Sequence, residues 1–141
     1  ENKPLRYDFL NIIPKGRIVI PDIGLSCIVL DGANEHTLSY GLGQVKNGSE
    51  IHENRHNIVI SGHRDSHFRK LRDIRVGDKI VIEHIEGESE YVVDDIFLAD
   101  PSEIEHIDKG RYQSLTLITC YPFNYVGAAP FRIIVVGKLV L

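Results

Sequence analysis

Short runs of β-branched and aliphatic residues, each closed by a turn signal, most constrain what this chain can fold into. Arg17-Ile18-Val19-Ile20 runs into a turn at Pro21-Asp22-Ile23-Gly24, and Leu25 to Leu30 ends at Asp31-Gly32. Runs this short and this β-branched read as strands. The same pattern returns at Asn57 to His63, at Ile80 to Ile82 after the turn Val76-Gly77-Asp78-Lys79, and at Tyr91 to Val93 after Glu86-Gly87-Glu88. Ile96-Phe97-Leu98 continues or bends that last strand, and Leu115 to Cys120 and Phe131 to Val136 complete the set. Helix signals are sparse. Asn34 can cap a short helix through Tyr40, stopped by Gly41 and Gly43. Ser66 can cap one turn holding His67, Phe68 and Leu71, and Asp100-Pro101-Ser102 can open another through His106. Residues 44–56 are polar and read as loop, as do 121–130, and residues 1–15 read as a short helix or a strap. About eight short strands with scraps of helix predict a mainly β fold, with a closed or nearly closed antiparallel sheet.

The length of 141 residues predicts one domain spanning 1–141, large enough to bury a core without staples. A net charge of −4 argues against a nucleic-acid partner. Two cysteines, Cys27 and Cys120, make no disulfide framework, and no C-x-x-C pair suggests zinc or redox work. Cys27 reads as a small buried hydrophobe within a strand. No apolar run approaches 18 residues, so nothing here reads as a membrane span. A chain starting at Glu1 reads as an excerpt, with any membrane anchor expected upstream of it.

Chemistry concentrates at the ends of these runs. Cys120 is the last residue of its run, before Pro122, and a thiolate there can attack a carbonyl carbon. His63 is the last of another, after Gly62, and an imidazole titrates near neutrality, so it can pass a proton to a leaving amine. Arg132 opens the final run, and a guanidinium stays charged with several donors in a fixed fork, suited to an oxyanion. Taken singly, each has a bland reading: a core cysteine, a surface histidine, an exposed edge arginine. The other six histidines, His36, His52, His56, His67, His84 and His106, sit in polar or loop-like stretches and most read as solvated. Together, Cys120 and His63 make a nucleophile–base pair for acyl transfer. Residues alone do not choose between an amine and water as acceptor.

Thr116-Leu117-Ile118-Thr119-Cys120 matches the T-L-x-T-C signature of sortases, the cysteine transpeptidases of Gram-positive cell surfaces. Ser61-Gly62-His63-Arg64-Asp65 resembles their histidine segment, and Arg132 falls where their arginine lies. The spacings fit as well, with 57 residues from His63 to Cys120 and 12 from Cys120 to Arg132. Gly16 to Pro21 and Leu38 to Gly43 extend the resemblance over most of the chain. His63 to Arg69 and Cys120 to Phe123 look most like class D. Two positions depart from the family pattern: Gln44, where a histidine is expected, and Phe131, where a basic residue often precedes the arginine. The resemblance implies an eight-stranded sortase-type β-barrel and catalysis by His63, Cys120 and Arg132. It implies cleavage of an LPxTG-like C-terminal sorting signal on a secreted protein, and joining of that protein to a peptidoglycan precursor amine. It further implies a monomeric domain held at the outer face of the membrane. Some sortases bind calcium, but Glu103 and Glu105 form no clear oxygen-ligand motif, so no metal or other cofactor is expected. Two rival readings stand beside this one: a cysteine peptidase releasing its product to water, and an inactive barrel binding extended peptides along a sheet edge.

Overall fold

The structure, a computed structural model, describes residues 12–45, 50–53, 57–64, 66–106, 113–121 and 130–140, with backbone alone at 104–106 and 120–121. Residues 1–11 of the expected strap, His56, Asp65, the side chains of Glu105, His106 and Cys120, and positions 122–129 lie outside what is described.

Eight strands form a closed barrel: β1 (Pro14–Ile20), β2 (Leu25–Asp31), β3 (Leu42–Gln44), β4 (Asn57–Ser61), β5 (Lys79–His84), β6 (Gly87–Ala99), β7 (Ser114–Tyr121) and β8 (Phe131–Leu139). Around the barrel they run β1-β2-β3-β4-β7-β8-β6-β5, and β5 closes on β1. Closure leaves no unpaired sheet edge. Among the described residues, one α-helix, α1 (Glu35–Leu38), bridges β2 and β3, and three 3-10 turns occupy other connections.

The expectation of about eight strands is met. Ile96 to Leu98 does continue the strand of Tyr91 to Val93, as one 13-residue strand, β6, which shifts register between Val93 and Asp95. That irregularity breaks the apolar alternation partway along it. The strand absent from the sequence reading is β3, whose Leu42-Gly43-Gln44 looked like the stop of a helix and the start of a loop. Gln44 is 3% exposed there and pairs with Ile60. Helix α1 is correspondingly shorter than predicted and ends at Leu38 rather than Tyr40, though Asn34 does cap it, its Oδ1 accepting from the Thr37 N–H at 2.8 Å. The end of the proposed strap, Pro14-Lys15, is already strand β1. The sheet is not wholly antiparallel either, since β2–β3 and β4–β7 are parallel.

Two apolar clusters follow from alternation along the strands. The larger holds Ile58, Ile60, Leu115, Leu117 and Val135 with residues from β1, β2, β5 and β6, and Phe68 and Leu71 from the segment after β4. Val59, Ile118, Ile134, Val136 and Ala99 form the smaller, on the opposite face of the same strands. Strand β7 is therefore buried on both faces from Ser114 to Thr119. Its start is clasped by a buried network, in which Asn57 Oδ1 accepts from Ser114 Oγ at 3.1 Å and from Thr116 Oγ1 at 2.8 Å. A one-residue slip of β4 along β7 would orphan those buried hydroxyls, so the clasp fixes the register.

Candidate active site

Register does most of the positioning. The parallel β4–β7 ladder pairs Asn57 with Ser114 and keeps the same offset through Ser61 and Ile118. The Gly62 N–H then donates to the Ile118 carbonyl at 3.2 Å, extending the pairing beyond Ser61. The same offset continued one residue further puts His63 level with Cys120. On the other side of β7, the antiparallel β7–β8 ladder sets Cys120 directly opposite Arg132. The backbone positions of all three predicted residues therefore come together at one end of three adjacent strands.

Gly62 lets His63 leave its strand where it does. A Cβ at Gly62 would lie 2.5 Å from Leu42 Cδ2 and 2.7 Å from Phe68 Cδ2. Both side chains are fully buried, so neither has room to retreat. The Phe68 N–H donates to the His63 carbonyl at 3.0 Å, tying the following turn back onto His63. The imidazole is 37% exposed, and its Nε2 lies 3.9 Å from Glu35 Oε1. Arg132 is half-buried at the start of β8, its Nη1 donating to the carbonyl of Phe131 at 3.1 Å. An imidazole, a cysteine position and a guanidinium near one end of adjacent strands are groups with which acyl-transfer chemistry can be built.

Glu35 was not singled out from sequence. It reads there as an ordinary acidic residue in the first turn of a short helix, and nothing local links it to His63, 28 residues later. Four of the other histidines also differ from expectation. His36, His52, His67 and His84 are each partly buried and engaged. His36 stacks edge-on against Tyr40, His52 lies 3.8 Å from Glu86, and His84 Nε2 meets Ser89 Oγ at 2.9 Å.

A second thiol–imidazole pair stands elsewhere. Cys27 carries a free thiol, half-buried rather than enclosed, with its Sγ 3.7 Å from His67 Nδ1. The two share an open cavity of about 310 Å³ with Ser66, Arg69 and Lys70. Burial pushes the Cys27 thiol above its ordinary value, against the weaker opposing pull of a hydrogen bond from Leu42 and the charge of Arg17. Among the described residues no group of three His, Cys, Asp or Glu side chains is arranged to hold a metal ion. Glu103 Oε1 instead accepts from the Asp100 N–H at 2.8 Å. No helix among them is long and apolar enough to cross a membrane.

Comparison with known proteins agrees with this architecture. Residues 18–140 match the sortase domain family model. The chain is 35% identical to sortase D of Bacillus subtilis over 126 residues, which is 89% of this chain and 63% of that protein. It is 31% identical to sortase A of Bacillus anthracis, over 74% of this chain and 51% of that one. It thus spans between half and two thirds of these relatives. Among solved structures, sortase A of Listeria monocytogenes superposes with a TM-score of 0.80 at 25% identity, covering 91% of this chain and 88% of that one. A lid mutant of Streptococcus agalactiae sortase C1 gives 0.79 at 28% identity, covering 89% and 69%. The family match over most of the chain and the shared closed barrel give one answer: this chain belongs to the sortase family.

Proposed function

We propose that the domain is a cysteine transpeptidase that cleaves an LPxTG-like sorting signal and joins the protein bearing it to an amine of a peptidoglycan precursor. In this reading the Cys120 thiolate attacks the threonine carbonyl, and Arg132 stabilises the oxyanion as it forms. His63 gives its proton to the leaving amine, producing an acyl-thioester. The incoming amine then attacks that thioester, passes a proton to His63 and releases the Cys120 thiolate. The domain works as a monomer without metal, at the outer face of the membrane, carried there by an anchor on a segment preceding these residues.

The observation that carries the reading is the register: Arg132 lies opposite Cys120, and the β4–β7 offset, carried two residues past Ser61 and Ile118, meets His63 at Cys120. Family membership supports the class of reaction. The test incubates the protein with a sorting-peptide library and follows Cys120 by mass spectrometry, with and without diaminopimelic acid. The expected result is a thioester adduct on Cys120 that the amine converts to a peptide–amine product. An adduct resolved only by water under every condition would favour a peptidase. The absence of any adduct would leave only the peptide-binding barrel.

A further inference from the structure

Glu35 is held over His63 by the scaffold rather than by a flexible loop. Helix α1 is fixed at its start by the Asn34 cap and by the Leu38 N–H, which donates to the Asn34 carbonyl at 3.0 Å. Its inner residues, Thr37 and Leu38, are buried. The connection lies so close to β3 that a Cβ at Gly43 would come 2.2 Å from the Gly32 carbonyl oxygen and 3.0 Å from Leu38 Cδ2. Gly43 in turn pairs with Ser61, two residues before His63. A contiguous path of backbone pairing and packed side chains thus fixes the Glu35 backbone relative to that of His63.

The pair itself does little for the fold. The Glu35 side chain is 93% exposed and 3.9 Å from His63 Nε2, and ion pairs that open to solvent contribute little to stability. Its carboxylate keeps most of its surface available to a ligand. Any primary amine that resolves the thioester exists mainly as an ammonium near neutral pH and must lose a proton before it attacks. To hand that proton to His63 it must approach to about 3 Å of the imidazole. That approach carries its positive charge within a few ångströms of Glu35.

We infer that Glu35 is the specificity residue that draws the cationic amine to His63, an inference that rests on the transpeptidase reading above. Glu35 forms no bond in the reaction. It offsets the repulsion an ammonium would meet beside a protonating imidazole, and so favours amines over neutral nucleophiles.

The test uses two nucleophiles against the same acyl-thioester: ethylamine, an ammonium at neutral pH that carries no carboxylate of its own, and hydroxylamine, which is largely uncharged there. Because both resolve one intermediate, the ratio of their kcat/KM values cancels any effect on acylation. Glu35→Gln is expected to lower the ethylamine to hydroxylamine ratio about 5-fold through KM for the amine, the scale of one water-screened charge at this distance. Glu35→Asp should restore most of it, and added salt should lower the ratio in the wild type more than in Glu35→Gln. An unchanged ratio, or equal losses for both nucleophiles, would overturn the inference while leaving the transpeptidase reading intact. A protein that forms no adduct on Cys120 would overturn both.

Discussion

The molecule holds two cysteines in strands, and they differ in the strand positions that flank them. Cys27 lies inside β2, opposite Ile18 on β1, with its thiol 3.7 Å from His67 and raised by burial. Cys120 lies one residue before the end of β7, opposite Arg132 on β8, where the β4–β7 offset carried past Ser61 meets His63. Each has a histidine in its region: His67 at the Cys27 thiol, and His63 at the register position of Cys120. What separates them is how the cation is placed, since Arg132 is the direct cross-strand partner of Cys120 whereas Arg17 pairs with Ile28, one residue along from Cys27. The comparison teaches that strand register, more than the presence of a thiol and an imidazole, sets the proposed reactive centre apart from the Cys27–His67 pair.

The sharpest way to break that contrast is to remove each thiol in turn. Cys120→Ala is expected to lower sorting-peptide cleavage by about 10³-fold or more, whereas Cys27→Ala should keep it within about twofold. Equal losses, measured by peptide turnover on folded variants, would erase the distinction. Arg132→Lys tests the cross-strand cation. It retains the charge but loses the planar fork, and kcat should drop about 100-fold with a smaller change in peptide KM. Full activity in Arg132→Lys would show that any positive charge at that register position suffices. Gly62→Ala tests the strand exit. The added methyl meets two enclosed side chains, so thermal unfolding should show a loss of about 1–3 kcal/mol, together with slower turnover as His63 is displaced. A variant as stable as the wild type would mean the turn relaxes freely.

The smallest expected effect concerns the Cys27 thiol. A raised thiol holds less thiolate at neutral pH, so alkylation of Cys27 should be slow there and accelerate with rising pH, with a midpoint above that of an ordinary thiol. Iodoacetamide labelling of the Cys120→Ala variant, followed by mass, reads this directly. Rapid labelling at neutral pH would make Cys27 the more reactive thiol and reverse the comparison.

Much of this was legible in the sequence because apolar runs and turn residues report local structure. Ile80-Val81-Ile82 and Leu115 to Cys120 needed nothing beyond their own composition to read as strands. Strand β3 was not legible, because three residues with a central glycine carry no periodicity and are strand only through their partners, Asp31 on one side and Ile60 on the other. The parallel pairings were hidden for the same reason, since pairing direction is a property of two distant segments. Of the site, His63, Cys120 and Arg132 stood out by chemical type at the ends of runs and by their spacing. Glu35 did not, because its relation to His63 exists only after β3 has docked against β4.

The Asn57 clasp on Ser114 and Thr116 has a practical side. The chain makes its long excursion through β5 and β6 between β4 and β7, yet the alignment of those two strands is locked by their own buried contacts. The hairpin tip at Ile85–Glu86 stands exposed at the end of that excursion. Foreign peptide grafted there would ride as a passenger, lengthening the excursion without shifting His63 against Cys120.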